Sequence, residues 1–269
     1  MTVFALTPGT TPLLVSMPHT ATGIPGDLAA RMTDIGRTVP DTDWHVDRLY
    51  AFAAELGAGT IRPAYSRYVI DLNRAPDGQA LYAGANNTEL CPISTFAEEP
   101  IWRSGEEPKQ EEIPARREAY WKPYHDALKA ELKRVRERHG LALLFDAHSI
   151  RSRVPRFFEG QLPDLNIGSA GGTSAAPELI ERLISVAATA KPYSAVLDGR
   201  FKGGYITRTY GRPQDGVHAI QLELAQLNYM GEEPPFEYRP DLAEQLQPVL
   251  KRMLQTMLDW AREQPGFRP

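Results

Sequence analysis

An uninterrupted apolar run, Leu141-Ala142-Leu143-Leu144-Phe145, constrains the fold of this chain more than any other segment. A run of this kind is typical of a central strand buried on both faces, because a strand with one solvated face alternates apolar and polar residues. The residues before it, 112–139, have helical spacing, with Pro114 marking the helix start and Pro123 a kink. Gly140 ends the pattern, so the sequence predicts a long helix followed by a core strand.

The rest of the chain continues this alternation, which predicts an α/β fold with a mostly parallel or mixed sheet. Further strands are predicted at 13–17, 60–64, 67–72 and 217–224, and further helices at 43–56, 177–188 and 242–261. A glycine-marked hairpin is predicted near Lys202-Gly203-Gly204, and residues 76–108, rich in Pro, Gly, Asn and Glu, are predicted to form a long loop. No linker or internal repeat is visible, so a single domain over residues 1–269 is expected.

The composition favours a soluble globular protein and argues against several functional classes. The 269 residues are 42% hydrophobic and 24% charged, with a net charge of −4 and no basic block, so binding to nucleic acid or to an anionic membrane is not expected. No apolar run approaches the roughly 20 residues that a membrane-spanning helix needs. The N-terminal residues lack signal-peptide features, and the single cysteine, Cys91, excludes an intrachain disulfide. A cytoplasmic protein is therefore expected.

Two histidines follow predicted strands, where open α/β sheets place their ligands. His19 comes after the first predicted strand, and His148 comes after the core strand. Catalytic zinc commonly takes two histidines and one carboxylate, so the pair predicts a zinc site, although each His alone also suits an ordinary loop. Asp43 and Asp47 begin the helix predicted at 43–56 and are the candidate carboxylates, although both also suit a helix N-terminus. Asp43 is preferred because it lies next to the loop that faces the crevice.

Other polar residues interrupt or flank apolar strands and are predicted to act beside this site. Glu223 lies within the last predicted strand, where an unpaired carboxylate is costly to bury, so it is the predicted general base. Arg67 begins the strand predicted at 67–72 and Asn73-Arg74 follow it, a placement that suits a carboxylate ligand, with a surface ion pair as the alternative. Arg208 is a candidate for a second substrate carboxylate, with an exposed position in a plain hairpin as its alternative.

With these residues assembled, the chain resembles the N-formylglutamate amidohydrolase family over nearly its whole length. The resemblance rests on segments that occur in order along the sequence. They are Pro18-His19, Asp41-Thr42-Asp43-Trp44-His45-Val46-Asp47, residues 66–74, Asp146-Ala147-His148-Ser149-Ile150-Arg151-Ser152, residues 199–208 and His218-Ala219-Ile220-Gln221-Leu222-Glu223. The family is similar in turn to zinc carboxypeptidases and aspartoacylases, which implies a three-layer α/β/α fold around a mixed, mostly parallel sheet.

The resemblance implies zinc-dependent hydrolysis of N-formyl-L-glutamate to formate and L-glutamate, the last step of one histidine degradation route. The implied ligands of a single zinc ion are His19, Asp43 and His148. The implied catalytic and substrate-binding residues are Glu223 as the base, Arg67 at the oxyanion, Asn73 and Arg74 at the α-carboxylate, and Arg151 and Arg208 around the same pocket. The expected partner is a small dicarboxylate substrate, and the expected assembly is a monomer or a small homo-oligomer.

One position departs from the pattern of the carboxypeptidase-like relatives, which place an acidic zinc ligand three residues after the first histidine. That position is Thr22 here, so the carboxylate has to come from elsewhere, and Asp43 is the expected choice. Two other hypotheses are an N-acyl amino acid deacylase or carboxypeptidase-like hydrolase of different specificity, and a non-catalytic binding protein. The joint presence of His19, His148 and Glu223 argues against the binding protein, since binding alone does not need a base.

Overall fold

The computed structural model describes residues 2–79 and 86–269 of the chain. The strands are β1 (Phe4–Thr7), β2 (Leu13–Ser16), β3 (Gly59–Pro63), β4 (Ala142–Ile150), β5 (Leu165–Gly168), β6 (Ala195–Leu197) and β7 (Val217–Ala225). The α-helices are α1 (Gly26–Ala29), α2 (Asp34–Arg37), α3 (Val46–Leu49), α4 (Ile113–Arg116), α5 (Lys122–His139), α6 (Pro177–Thr189), α7 (Tyr205–Tyr210) and α8 (Pro240–Arg262). Short 3₁₀ helices lie at Ala51–Leu56, Pro213–Asp215 and Gln226–Asn228.

The strands form one sheet in the order β1-β3-β2-β4-β7-β5-β6. The pairs β2/β3, β2/β4, β4/β7 and β5/β6 are parallel, and the pairs β1/β3 and β5/β7 are antiparallel. Because a parallel connection needs a crossover, helices separate most of these strands along the chain. The predicted mixed, mostly parallel sheet is confirmed.

Helices cover both faces of this sheet. Val15, Phe145 and Leu222 belong to the core on one face, together with apolar residues of α6 and α8. Leu14 and Leu144 belong to the core on the other face, together with apolar residues of α5. Successive strand residues point to opposite faces, so a strand packed on both sides must be apolar throughout, as β4 is at its start. The three-layer α/β/α arrangement is confirmed.

The carboxyl ends of three neighbouring strands meet at one edge of the sheet. β2, β4 and β7 are adjacent and mutually parallel. His148 and Glu223 lie near the ends of β4 and β7, and the register of the two strands pairs them directly. His19 follows the end of β2 by three residues. The fold therefore delivers these three side chains to the place where open α/β sheets bind their ligands.

Residues 67–72, predicted as a strand, form consecutive turns, and that prediction was wrong. Polar side chains bind the local backbone there: Ser66 Oγ accepts a hydrogen bond from Tyr68 N at 3.2 Å, and Asp71 Oδ1 accepts one from Asn73 N at 2.8 Å. Such contacts favour turns over a sheet ladder. All of residues 67–72 are buried, so the apolar alternation does not mark a strand with one solvated face.

The helix predicted at 43–56 is divided in the structure into α3 and the 3₁₀ helix Ala51–Leu56. Asp43 precedes both, because His45 has a left-handed backbone with φ of 61° and α3 begins after it. Gly57 ends the second helix with φ of 65°, in line with the predicted stop. Asp43 is therefore a loop residue and does not occupy the first turn of a helix.

The hairpin predicted near Lys202-Gly203-Gly204 is absent from the described residues, and that prediction was wrong. Gly203 has φ of 109°, a conformation that glycine adopts at little cost, and Gly204 directly precedes α7. The paired glycines therefore turn the chain into a short helix that packs against the sheet edge. They do not join two strands.

The remaining predicted elements match the structure within a few residues. The long helix at 112–139 is confirmed with an interruption, since the π-helical turn Arg117–Trp121 joins α4 to α5 next to Pro123. The strands β1, β5 and β6 were not predicted, because segments of three or four residues show too little periodicity.

Two further expectations are a long loop at residues 76–108 and the absence of a membrane-spanning helix. Residues 80–85 of this segment lie outside the described residues, and its described part has isolated bridges but no regular helix or strand. Over 2–79 and 86–269, no helix combines the length and the apolar character needed to cross a bilayer.

Candidate active site

Three buried side chains, His19, Asp43 and His148, converge at the sheet edge. Asp43 Oδ2 lies 3.1 Å from His148 Nδ1 and 3.8 Å from His19 Nδ1. The backbone also holds this carboxylate in place, because Asp43 N donates to His19 O and Ser149 N donates to Asp43 Oδ2. None of the three side chains is more than 4% exposed. The loop before α3 thus brings a carboxylate to the ends of β2 and β4.

Two further carboxylates hold the far sides of the histidine rings. Asp71 Oδ1 lies 2.7 Å from His19 Nε2, and Asp146 Oδ2 lies 3.2 Å from His148 Nε2. Both Asp71 and Asp146 are completely buried. A carboxylate beside Nε2 orients each ring and leaves Nδ1 as the atom that faces Asp43.

The pKa values of His19 and His148 shift in opposite directions. Burial and the nearby Arg67 lower the pKa of His19 below its ordinary value, despite Asp71. Burial also disfavours the charged form of His148, but Asp146 and Asp43 outweigh it and raise the pKa of His148 well above its ordinary value. A cation bound between these side chains therefore competes with a proton on His148.

The donor atoms of His19, Asp43 and His148 all lie within 4.8 Å of one another. Two imidazole nitrogens and a carboxylate are a common ligand set of catalytic metal sites and leave a position for water or substrate, so these residues fit a divalent cation. Asp47, the alternative carboxylate, is 39% exposed and bonds Arg62 at 2.8 Å. The structure thus brings Asp43, and not Asp47, to the two histidines.

Glu223 lies beside His148 at the paired position of β4 and β7. Its side chain is 7% exposed, and Gln221 Nε2 donates to Glu223 Oε2 at 3.3 Å. Burial raises the pKa of Glu223 to about 8, and the positive charge of His148 opposes this effect. A divalent cation at the adjacent triad would favour the carboxylate form. A carboxyl group of this kind, next to a cation site, can accept and return a proton near neutral pH.

Arg67 is joined to the metal triad through Asp71. Arg67 Nη2 donates to Asp71 Oδ2 at 2.6 Å, while the other oxygen of the same carboxylate contacts His19. The guanidinium lies 4.9 Å from the centre of the Phe96 ring. Burial alone would favour neutral Asp71, but Arg67 and His19 outweigh it and hold the pKa of Asp71 well below its usual range. One buried anion therefore positions both a triad histidine and Arg67.

Asn73 is buried between the triad and the start of α7. Asn73 Oδ1 accepts a hydrogen bond from Ile206 N at 2.8 Å, and Asn73 Nδ2 lies 3.0 Å from His148 Nε2. A Cβ on Gly204 would lie 2.2 Å from Asn73 Nδ2, so a larger residue at 204 would displace this amide. The glycine is required here by the close approach of the Asn73 side chain.

Several of the side chains described above line one cavity. His19, His148 and Glu223 line it, together with Asn73. Over the described residues, the arginines in its lining are Arg67, Arg74 and Arg200. The apolar part of the lining is Phe96, Ile150, Phe157 and Phe201. The cavity therefore combines two histidines of the triad, a cationic lining and an apolar wall.

Arg151 and Arg208, predicted to bind substrate, do not belong to the lining of this cavity as described. Arg151 Nη1 lies 3.9 Å from Glu233 Oε1, and its guanidinium lies 5.7 Å from the centre of the Phe236 ring. Arg208 is on α7, where its Nε donates to Gly203 O at 2.8 Å. A substrate role for these two residues stays a prediction.

Sequence reasoning missed Asp71, Asp146 and Arg200. Asp146 directly follows the apolar run that ends at Phe145, and this is the same signal that identified Glu223. Asp71 lies inside the segment that the sequence predicts as a strand, and that prediction gives no indication of its contact with His19. Nothing in the sequence distinguishes Arg200 from Arg208, because both flank the same glycine-containing segment, Lys202-Gly203-Gly204.

The chain is similar to known proteins of one family. The N-formylglutamate amidohydrolase family profile matches residues 11–230. The N-formylglutamate deformylase of Pseudomonas putida is 51% identical over 255 residues, which cover 95% of each chain. The N-formylglutamate deformylase of Pseudomonas aeruginosa is 50% identical and covers 95% of this chain and 96% of its own.

A solved structure has the same fold. The crystal structure of N-formylglutamate amidohydrolase from Ralstonia eutropha superposes with a TM-score of 0.82 at 23% identity, over 97% of this chain and 99% of that chain. At this identity the superposition supports the fold, while the profile and the two relatives that are about half identical support the family. The chain therefore belongs to the N-formylglutamate amidohydrolase family.

Proposed function

We propose that this protein is a zinc-dependent deformylase that hydrolyses N-formyl-L-glutamate to formate and L-glutamate. The observation that carries the proposal is the placement of the buried carboxyl group of Glu223 directly beside the His19–Asp43–His148 triad. A binding site has no need for a base at this position, whereas hydrolysis of an amide does. The names of the two relatives that are about half identical support the same substrate.

His19, Asp43 and His148 would hold the zinc ion in this proposal. Bound zinc supplies Lewis-acid polarisation of the formyl carbonyl group and of water. Asp71 and Asp146 keep the two imidazole rings oriented, because each carboxylate contacts the Nε2 atom of one ring. These anions also balance the charge of the cation in a buried environment.

Glu223 acts as the base and then as the acid. Its carboxylate takes a proton from water as the water oxygen attacks the formyl carbon. The same carboxyl group then gives the proton to the amide nitrogen as the carbon–nitrogen bond breaks, which releases formate and the amino group of glutamate. Gln221 orients the carboxyl group through its hydrogen bond to Oε2.

Cationic and amide side chains in the cavity hold the substrate. Arg67, fixed by Asp71, faces the charge that develops on the formyl oxygen. Asn73 and Arg74 bind the α-carboxylate, and Arg74 is oriented by the donation of its Nη2 to Thr88 Oγ1 at 2.9 Å. These roles follow from the resemblance and from the shared position of the three residues in the cavity lining.

We further propose that the reaction is the last step of a histidine degradation route in the cytoplasm. Conversion of N-formylglutamate to glutamate gives a product that enters general metabolism directly. The single cysteine, Cys91, is buried and free, which suits a reducing compartment.

The test measures acyl release by the purified protein: formate from N-formyl-L-glutamate and N-formyl-L-methionine, and acetate from N-acetyl-L-glutamate. Each substrate is assayed before chelator treatment, after it, and after zinc is restored. We expect formate from N-formyl-L-glutamate, loss of turnover with the chelator and recovery with zinc. Faster deacylation of N-acetyl-L-glutamate would replace the proposed substrate, and full activity in the chelator would contradict zinc dependence.

A further inference from the structure

Three arginines line the cavity in the described part of the chain, and two of them lie close to the triad. Arg67 is paired with Asp71, and Arg74 directly follows Asn73. Arg200 enters from a different segment, the one that connects β6 to α7. A substrate with two carboxylates needs a second cationic group at some distance from the one that binds beside the reacting amide.

The Arg200 side chain is held in place by its neighbours. Arg200 Nε donates to Phe157 O at 2.6 Å, and its guanidinium lies 5.7 Å and 5.4 Å from the ring centres of Phe157 and Phe201. Phe157 is itself packed edge-on against Phe96 at 5.0 Å between ring centres. A guanidinium anchored through Nε and flanked by aromatic rings loses little conformational freedom when it binds a planar carboxylate.

The apolar wall lies beside this arginine. Ile150, Phe96, Phe157 and Phe201 line the same cavity as Arg200, and their surfaces suit methylene groups. The glutamate side chain has two methylenes between its α-carbon and its second carboxylate. A cavity lined by both apolar side chains and a half-buried guanidinium offers contacts to the methylenes and to the second carboxylate.

Resting on the proposed function, we infer that Arg200 binds the side-chain carboxylate of the substrate and selects glutamate over neutral amino acids. Phe157 and Phe201 hold the guanidinium, and the methylenes of the substrate pack against the aromatic wall. This assignment places the selecting arginine in the cavity lining and replaces the predicted use of Arg208 for the second carboxylate.

The test compares Arg200→Gln with the wild type on N-formyl-L-glutamate and on its neutral isostere N-formyl-L-glutamine. Loss of a charge-assisted contact predicts a fall in kcat/KM for the glutamate substrate of about 10- to 100-fold, mostly in KM. The glutamine substrate should change by less than about threefold, since an amide gains little from the guanidinium charge. Arg153→Gln is the matched control, because Arg153 is an exposed arginine of the neighbouring loop outside the cavity lining.

Binding of glutarate, measured by calorimetry on the same proteins, separates this inference from the proposed function. Weaker glutarate binding in Arg200→Gln supports the inference even if the wild type releases no formate, an outcome that would reject only the deformylase activity. Equal losses for both substrates, or a loss no larger than in Arg153→Gln, would overturn the inference. A selective loss in Arg208→Gln, with Arg200→Gln unchanged, would return the role to Arg208.

Discussion

The edge of the sheet that carries His148 and Glu223 and the cationic lining of the cavity are built in different ways. At the edge, His148 and Glu223 occupy paired positions of two long strands and are 2% and 7% exposed. In the lining, Arg74 and Arg200 lie on irregular segments and are half-buried. A sheet ladder sets the distance between two side chains, whereas a loop depends on its own local contacts. The difference indicates that the sheet positions His148 and Glu223, whereas local contacts of the irregular segments position Arg74 and Arg200.

The largest effect is expected from Asp43→Asn, which removes the carboxylate of the triad while keeping its size. A zinc-binding free energy of roughly 10–16 kcal/mol shared among a few ligands predicts a loss of zinc affinity of about 1,000-fold. Asp47→Asn, four residues along the chain and paired with Arg62 at the surface, should retain the zinc affinity of the wild type. Chelator competition measures both variants. Equal zinc affinities in the two variants would remove Asp43 from the site.

Gly204→Ala tests the close contact between the Gly204 backbone and the Asn73 side chain. Its Cβ would lie 2.2 Å from Asn73 Nδ2, so the amide and its hydrogen bond with Ile206 must shift. A displacement of about 1 Å predicts a fall in kcat/KM of about 100-fold. Gly26→Ala is the control, since no atom lies within 4 Å of the Cβ it would add. Steady-state kinetics of the two variants measure the effect, and an active Gly204→Ala enzyme would show that the placement of Asn73 is not critical.

A smaller effect is expected from Asp146→Asn, which keeps the shape beneath His148 and removes the charge. Loss of a carboxylate partner of a metal-binding histidine predicts a fall in zinc affinity of about 10- to 100-fold. Asp198→Asn is the control, because Asp198 accepts hydrogen bonds from Ser169 and lies outside the triad. The visible spectrum of the cobalt-substituted protein reports the ligand geometry independently of turnover. Identical affinities and spectra in the two variants would limit Asp146 to a structural role.

The last effect is a change in the pH dependence of stability that comes from His125, whose ring nitrogens lie within hydrogen-bond distance of Tyr210 Oη and Leu72 O. Burial lowers the pKa of His125 to about 4, and its Nε2 lies 2.9 Å from Leu72 O. Below its unfolded pKa near 6.5, the unfolded chain binds a proton that folded His125 rejects, so stability falls as pH decreases from about 6.5 to 4. His125 contributes about 3 kcal/mol to this loss.

His125→Gln isolates that contribution. Between pH 6 and pH 4.5, the slope of unfolding free energy against pH should decrease by roughly one proton, about 1.4 kcal/mol per pH unit. Urea denaturation at a series of pH values measures the slope, and the Gln variant needs only to fold, not to match the wild-type stability. An unchanged slope would mean that His125 titrates normally in the folded protein. The carboxylate-held His148, whose pKa is shifted upward, provides the contrast within the same chain.

The sequence predicted most of the sheet and the groups that the sheet positions. Apolar runs and helical spacing identified β2, β4, β7, α5 and α8, and polar residues at the strand ends identified His19, His148 and Glu223. The predicted elements hold because burial on both faces leaves a clear pattern in the residues. Asp43 is preferred to Asp47 in the sequence because it lies next to the loop that faces the crevice. The left-handed conformation of His45, which places Asp43 before α3, leaves no pattern in the sequence.

The lining of the cavity was harder to predict, for a physical reason. Residues 67–72 alternate like a strand but form turns, because Ser66 and Asp71 bind the local backbone. Arg200 and Arg208 have the same side chain and lie eight residues apart, and only the path of the chain through Gly203 and Gly204 separates their positions. Local hydrogen bonds and glycine conformations determine this region, and neither leaves a periodic pattern.

The central claim is that Glu223 and the metal triad form one hydrolytic site, and Glu223→Gln tests it most directly. Zinc content and formate release from N-formyl-L-glutamate are measured on the variant and on the wild type in parallel. We expect one zinc ion per chain in both proteins and a fall in kcat of about 1,000-fold in the variant, within the range for loss of a general base. Wild-type turnover in Glu223→Gln with zinc bound would contradict the account, because the proton would then be carried by another group.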